Sequence, residues 1–143
     1  MDSIKINEYN YDEIHIGDTF EFKRNLSIED VNNYAKLTRD FNPLHCDEEY
    51  AKNTQFKGRI IHGMLAGSLF STLVGMVCPG KNNLYLAQSL NFKNPIYPNS
   101  ELIVRGIVKS KIDAIKLIVI NTEIIVNEII VIGGEAKVRI RDY

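Results

Sequence analysis

The segment Asp40-Phe41-Asn42-Pro43-Leu44-His45 places a carboxylate and an imidazole five residues apart around an Asn-Pro pair. On a continuous helix these two side chains would point roughly 140° apart, because each residue turns the helix by about 100°. Pro43 lacks a backbone N–H and disfavours helical geometry at Asn42, so we predict a turn here. A turn can bring both groups to one cleft, where they could hold and deprotonate a water molecule. Taken alone, however, the pattern is more typical of an Asp that caps a turn and a His in a loop.

A second unusual element, His62-Gly63-Met64, opens a run of almost wholly apolar residues that ends at Cys78-Pro79-Gly80. A helix that is apolar on nearly every side must be buried. This run is also too short to cross a bilayer, which needs about 20 apolar residues. Gly67, Gly75 and three hydroxyl side chains would let a sheet approach the helix closely. We therefore predict that a sheet wraps around it.

Two further helices are predicted to flank the turn between Asp40 and His45. Ser27-Ile28-Glu29-Asp30 is a capping-box pattern, which predicts the start of a helix that ends near Asp40. A short helix is predicted to begin around Asp47-Glu48-Glu49, whose negative charges suit the positive end of a helix dipole.

Strand-like runs follow the apolar helix and predict an antiparallel sheet. Asn127-Glu128 is typical of a hairpin turn, whereas Gly133-Gly134 is typical of a bulge, because alternation resumes at Ala136. The order of strand, helices and strands indicates an α+β fold, and the length of 143 residues suits a single domain over residues 1–143. The runs comprise Leu84, Leu86, Leu90 and Phe92, which alternate as on one strand face, and residues 102–108, 115–126 and 129–140.

The composition argues against several classes of function. The net charge is −1 and 45% of residues are apolar, so no footprint for nucleic acid or an anionic membrane is expected. The N-terminal residues resemble neither a secretory signal nor a transit peptide, and Cys46 and Cys78 are expected to be reduced thiols. These observations favour the cytoplasm. Three scattered histidines and two distant cysteines have no ligand spacing, so no metal site is expected.

Three blocks together resemble the MaoC-like (R)-specific enoyl-CoA hydratases, which have the hot-dog fold of a sheet curled around one long central helix. They are residues 40–45, residues 56–64 and Gln88-Ser89-Leu90-Asn91-Phe92, and the resemblance runs over about residues 20–140. It implies that Asp40 and His45 are the catalytic pair and that Asn42 is the asparagine between them. It also implies that the Gly63 N–H faces the thioester oxygen.

The activity implied by this resemblance is a hydro-lyase reaction on a trans-2-enoyl thioester. Asp40 and His45 would activate water for attack at C3, while Gly63 would bind the developing oxyanion. Ser68 matches a family serine with a supporting role, although a Ser in an apolar helix also commonly bonds back to its own backbone. The alternatives are a hot-dog thioesterase, which would use an acidic residue to activate water at C1, and a non-catalytic acyl-binding subunit.

The resemblance also implies a long substrate, a coenzyme A or acyl carrier protein thioester, with no separate cofactor. Its pantetheine arm is expected along a groove formed by residues 57–62 and the first strand after the central helix. A homodimer or dimer of dimers is implied, and the apolar run 115–120 is consistent with an edge strand that needs a partner. Further candidates for substrate contacts are His62, Met64, Gln88, Lys57 and Arg59, and for the nucleotide phosphates Lys57, Arg59, Lys81 and Lys93; each charge also fits a solvated surface, and Gln88 also fits a structural amide.

Arg39 departs from the family pattern, which has a small Ser-Gly pair where this chain has Thr38-Arg39. An inward-facing Arg39 would lower the proton affinity of Asp40, whereas an outward-facing one would point to solvent. Both orientations remain open at the level of the sequence.

Overall fold

One antiparallel sheet and a set of short helices make up the computed structural model, which describes residues 5–141. The strands pair in the order β1-β4-β5-β6-β2, and β3 also pairs with β6. The predicted α+β class with an antiparallel sheet packed on a central helix is confirmed. The strands are β1 (Thr19–Asn25), β2 (Asn83–Gln88), β3 (Asn91–Phe92), β4 (Glu101–Ile112), β5 (Leu117–Val126) and β6 (Ile129–Ile140).

Two of the three helices around the predicted turn lie where the sequence indicates, and the third lies within that turn and was not predicted. Helix α1 (Ile28–Thr38) starts at the predicted capping box, in which the Asp30 N–H donates to Ser27 Oγ over 3.1 Å and the Ser27 N–H donates to the Asp30 carboxylate over 2.8 Å. Two short helices follow, α2 (Pro43–Cys46) and α3 (Glu48–Lys52). His45 therefore lies within a helical turn of its own rather than in an irregular loop.

The central helical segment comprises α4 (Gly63–Gly67), α5 (Leu69–Thr72) and a wider π-helical turn (Leu73–Val77). Phe70, Leu73 and Val74 are fully buried and pack against the sheet, whereas Met64 is 57% exposed. Ser68 and Ser71 are also exposed. The expectation of burial on nearly every side is therefore wrong for the isolated chain, because the sheet covers only one side of the helix.

The leucines at positions 84, 86 and 90 do not share one strand face as predicted. Leu84 and Leu86 are 45% and 50% exposed, whereas Leu90 packs against the core and contacts Gly67. A register shift between Tyr85 and Ala87 interrupts the alternation. The prediction of one shared face is therefore wrong, because this irregularity reverses the facing of the residues beyond it.

Two predictions about the other strands also need correction. The run 115–120 is not at an edge, since β5 pairs with both β4 and β6; β1 and β2 are the ends of the strand order. The turn at Asn127 and Glu128 is confirmed, and both residues have positive φ. Gly133 and Gly134, however, pair in register, and the irregularity lies nearby at Val131. Within residues 5–141, no helix is long and apolar enough to cross a membrane.

Candidate active site

Asp40 and Asn42 form two successive turns that connect α1 to α2. The Asn42 N–H donates to Asp40 Oδ1 over 3.2 Å, and the Leu44 N–H donates to Asn42 Oδ1 over 3.0 Å. Asn42 thereby caps α2, with Pro43 in the first helical position, where its missing N–H costs nothing. Asp40 remains exposed, and its Oδ2 lies 4.0 Å from His62 Nε2. Asn42 thus positions the short helix that carries His45.

His45 is held in one tautomer by the backbone of a later segment. Its Nδ1 lies 2.8 Å from the carbonyl oxygen of Ile60. A carbonyl oxygen can only accept, so Nδ1 carries the proton and Nε2 is the basic nitrogen. A neutral imidazole in this tautomer can act as a general base at Nε2.

Arg59 ties the same helix to α1. Its Nε donates to the carbonyl of His45 over 2.5 Å, and its Nη2 donates to Asn32 Oδ1 over 2.6 Å. The fork of the guanidinium therefore joins α2 to a residue of α1, so Arg59 has a structural role beside its candidate role in phosphate binding. Sequence reasoning missed Asn32, because its partner lies 27 positions away.

His62 is buried and contacts both Asp40 and His45. It is 2% exposed, its ring stacks on His45 with 4.0 Å between centroids, and its Nε2 lies 3.1 Å from the Asp40 carbonyl oxygen and 4.0 Å from Asp40 Oδ2. Burial lowers the pKa of His62 more than the hydrogen bond to Asp40 raises it. Because His62 is buried and does not line the cleft described below, it does not fit the predicted role in substrate contact. Tyr34, which packs edge-on against His62 at 4.9 Å, was also missed by the sequence.

An open cleft of about 410 Å³ lies in front of His45 and Gly63. Gly63 is the first residue of α4, where N–H groups point out of the helix and the dipole is positive. Lys93 and Asn94, which follow β3, also line the cleft and offer polar contacts beside a lining that is mostly apolar apart from His45. The remaining lining residues are Phe56, Ile60, Ile61, Met64, Phe92, Pro95, Ile96 and Ile132.

A second open hollow of about 480 Å³ lies on the other side of Met64. Ser68 and Gln88 both line it, but both are held by the protein. Ser68 Oγ donates to the Leu65 carbonyl over 2.6 Å, and Gln88 Nε2 donates to Thr122 Oγ1 over 2.9 Å. These bonds fit the structural interpretation of both side chains, and they do not bring Ser68 to His45.

The predicted phosphate ligands are spread over the surface. Lys57 is exposed, with a φ of 60°, and Lys81 lies 3.8 Å from a Glu8 carboxylate oxygen, whereas Lys93 lines the cleft. Of these candidates, only Lys93 is therefore placed at the cleft itself. Among residues 5–141 no group of three or more His, Cys, Asp or Glu side chains could hold a metal ion. The expectation that no cofactor is needed stays a prediction.

The MaoC like domain model matches residues 13–129 of the chain. The chain belongs to the MaoC-like family. A sequence relative is the (R)-specific enoyl-CoA hydratase of Aeromonas caviae, 42% identical over 89 residues, which are 62% of this chain and 66% of that protein. Another is a mitochondrial 3-hydroxyacyl-[acyl-carrier-protein] dehydratase of Arabidopsis thaliana, 35% identical over 86% of this chain and 75% of that protein.

The fold of solved structures agrees with this assignment. The (R)-hydratase from A. caviae involved in PHA biosynthesis superposes with a TM-score of 0.87 at 34% identity, covering 90% of this chain and 98% of that one. The MaoC-like resemblance and its hot-dog fold are thereby confirmed. The names of the relatives describe hydratases and dehydratases, which are hydro-lyases, and this MaoC-like chain is an enzyme of that class.

The backbone conformation at Arg39 suits a glycine, the residue that the resemblance led us to expect there. It is the C-cap of α1, with φ 65° and ψ 19°, which is the left-handed region. Glycine adopts this region without the clash of a Cβ atom. Arg39 is exposed, so in this MaoC-like chain the replacement of glycine by arginine affects the backbone conformation at the end of α1.

Proposed function

We propose that this MaoC-like enzyme is an (R)-specific enoyl-CoA hydratase, which interconverts trans-2-enoyl-CoA and (R)-3-hydroxyacyl-CoA. The observation that carries the proposal is the free Nε2 of His45, which lines an apolar cleft together with Gly63. The exposed carboxylate of Asp40 lies 4.0 Å from the ring of His62, which stacks on His45. The name of the Aeromonas relative supports the same chemistry.

In the proposed mechanism, Asp40 and His45 hold a water molecule between them. One group removes a proton as the water oxygen bonds to C3, and a proton from the pair is returned to C2, so that one water is added overall. Negative charge that develops on the thioester oxygen would be met by the Gly63 N–H at the start of α4. The dehydration of a 3-hydroxyacyl thioester is the same path reversed.

The apolar cleft supports a thioester substrate with a hydrocarbon chain, and Lys93 at its wall supports an anionic carrier arm. The coenzyme A thioester is our first choice. A second candidate, dehydration of 3-hydroxyacyl groups on acyl carrier protein, is supported by the name of the Arabidopsis relative. The ratio of kcat/KM for crotonyl-CoA and crotonyl-acyl carrier protein would distinguish the two.

We also propose that the enzyme is a homodimer that pairs near β2. Strand β2 ends the strand order and exposes Leu84 and Leu86, and the open hollow beside Met64 adjoins it. Exposed apolar side chains on an end strand are the kind of surface that a second copy covers. Sedimentation equilibrium would test this, with Leu86→Lys expected to shift the protein toward monomer.

The activity is tested by following the ultraviolet loss of the enoyl thioester after crotonyl-CoA is added. Asp40→Asn and His45→Gln are each expected to lower kcat at least about a hundredfold, within the usual range for general acid–base groups. Asp12→Asn and His15→Gln, which alter exposed residues outside both hollows, serve as matched controls.

Chiral analysis and a free-thiol assay separate the alternatives. An (R)-3-hydroxy product without thiol release supports the hydratase. Thiol release that depends on Asp40 would instead identify a thioesterase. An unchanged enoyl-CoA together with saturable binding would identify a non-catalytic acyl-binding subunit.

A further inference from the structure

His62 touches all three parts of the proposed machinery at once. Its Nε2 lies 3.1 Å from the Asp40 carbonyl, its ring stacks on His45 at 4.0 Å and 29°, and its backbone continues directly into Gly63. At 2% exposure, it is shielded from the cleft in which a substrate would lie. These contacts and this burial fit a residue that positions the reacting groups and does not itself react.

The hydrogen bonding of His62 determines its tautomer. Nε2 must carry a proton, because the Asp40 carbonyl oxygen can only accept. Nδ1 is then a bare lone pair, and it is buried with no hydrogen-bond partner among residues 5–141. A second proton would place an unpaired donor at Nδ1 in a buried position, which is costly.

Burial and the groups that face His62 together favour the same neutral state. They are the Asp40 carboxylate, the rings of His45 and Tyr34, and the Arg59 guanidinium. His45 and Arg59 lower the pKa of His62, and Asp40 raises it, but burial is the largest cause and lowers it. A neutral ring behind His45 places no second positive charge beside that imidazole when it takes a proton during turnover.

We infer that His62 is a positioning residue, which as a neutral Nε2–H imidazole holds Asp40, His45 and the Gly63 N–H in one fixed arrangement. This inference deepens the proposed function and rests on it. Displacing such a support by about 1 Å can cost on the order of a hundredfold in rate, because proton transfer and oxyanion binding both need correct placement. Substrate binding, in contrast, depends mainly on the cleft, which His62 does not line.

Two substitutions divide the contacts of His62. His62→Phe keeps a stacking ring but removes the hydrogen bond to Asp40, whereas His62→Gln keeps a donor but removes the ring. Each is expected to lower kcat at least about tenfold, while the Kd of the unreactive analogue butyryl-CoA stays within about threefold. Asn82→Leu is a matched control, since Asn82 is also buried, also has an unpartnered polar atom, and lies outside the cleft.

A loss of kcat in both His62 variants, with analogue binding kept and with Asn82→Leu active, supports the inference. A kcat within about twofold of the wild type in either folded variant, or an equal loss in Asn82→Leu, overturns it. If the variants do not fold, long-range ¹H–¹⁵N spectra of the wild-type imidazoles decide. A neutral Nε2–H ring from about pH 6 to 8 supports the inference, and an Nδ1–H tautomer or titration in that range overturns it.

The failure of the proposed function is distinguishable from the failure of this inference. A wild-type protein that does not hydrate crotonyl-CoA would reject the proposed function, whatever the variants do. The imidazole spectra do not depend on turnover, so they still support or overturn the arrangement of His62.

Discussion

The ring of Phe92 lies directly over Gly63, so that a Cβ atom at Gly63 would be 2.7 Å from ring carbons Cδ1 and Cε1. Real Cβ atoms do not approach other atoms so closely. Phe92 is 53% exposed and lines the cleft, so its ring can move only by changing the cleft's shape. The absence of a side chain at Gly63 therefore keeps the ring in place beside the proposed oxyanion donor.

We predict that Gly63→Ala folds but loses activity. The displaced Phe92 ring is expected to enter the cleft, which should raise KM, and a shifted Gly63 N–H should lower kcat by about a hundredfold, as for loss of one oxyanion donor. Steady-state kinetics with crotonyl-CoA measure both. Gly58→Ala is the matched control, because a Cβ there has only one ordinary contact, 3.9 Å from Glu48. Wild-type kinetics in Gly63→Ala would contradict the prediction.

We predict that Arg59 supports catalysis by positioning His45 and not by binding the phosphates of coenzyme A. Arg59→Lys cannot make both bonds of the guanidinium, to the His45 carbonyl and to Asn32, so His45 should lose its placement. We expect a loss of kcat of about tenfold or more, with the same factor for crotonyl-CoA and for the crotonyl N-acetylcysteamine thioester, which lacks the nucleotide.

The choice of substrate separates the two roles of Arg59. If the loss were confined to crotonyl-CoA and lay in KM, a phosphate ligand would be the better description. Arg105→Lys provides the control, since Arg105 binds Glu21 on a partly exposed surface away from the cleft and should change little.

Local patterns and distant contacts were not equally readable from the sequence. The capping box of Ser27 and Asp30 and the turn at Pro43 depend on neighbouring residues, so their chemistry predicts them directly. The central position of β5, in contrast, depends on which strands pair across the chain. The burial of His62 likewise arises from contacts with His45 in α2 and with Asp40 in the turn before it, which lie 17 and 22 positions away. Periodicity carries no information about such contacts.

The stability of the protein should fall on acidification because of His62. Burial lowers the folded-state pKa of His62 below the ordinary value of 6.5, so below that pH the unfolded chain binds a proton that the folded chain does not. Stability from this group is therefore complete above about pH 6.5 and is lost as pH falls toward the folded pKa. The slope from one group cannot exceed about 1.4 kcal/mol per pH unit.

Urea unfolding at about pH 7.5 and pH 5.5 measures this dependence. His62→Phe is expected to have a smaller difference between the two pH values than the wild type, because its ring cannot titrate. His15→Gln, which removes an exposed histidine instead, serves as the comparison. An equal pH dependence in wild type and His62→Phe would exclude His62 as its source.

We predict that Gly134 is needed for the close approach between β6 and the segment that leads to Phe92. A Cβ at Gly134 would lie 1.9 Å from the carbonyl oxygen of Ser89, and this atom belongs to the backbone rather than to a flexible side chain. The Ser89 N–H donates to the Glu135 carbonyl over 3.0 Å, so the two chain segments are joined at this point. Gly134→Ala must separate them, and it should destabilise the protein by about 3 kcal/mol, the upper part of the usual range for overpacking.

The adjacent Gly133 offers a matched control for Gly134. A Cβ at Gly133 would lie 3.6 Å from the side chain of Lys93, which is an ordinary contact with a flexible group. Gly133→Ala should therefore cost less than about 1 kcal/mol in urea unfolding, while Gly134→Ala also moves Phe92 and lowers kcat. Equal stabilities of the two variants would show that β6 can shift away from Ser89 without cost, and the close approach would then have no role in holding Phe92 over Gly63.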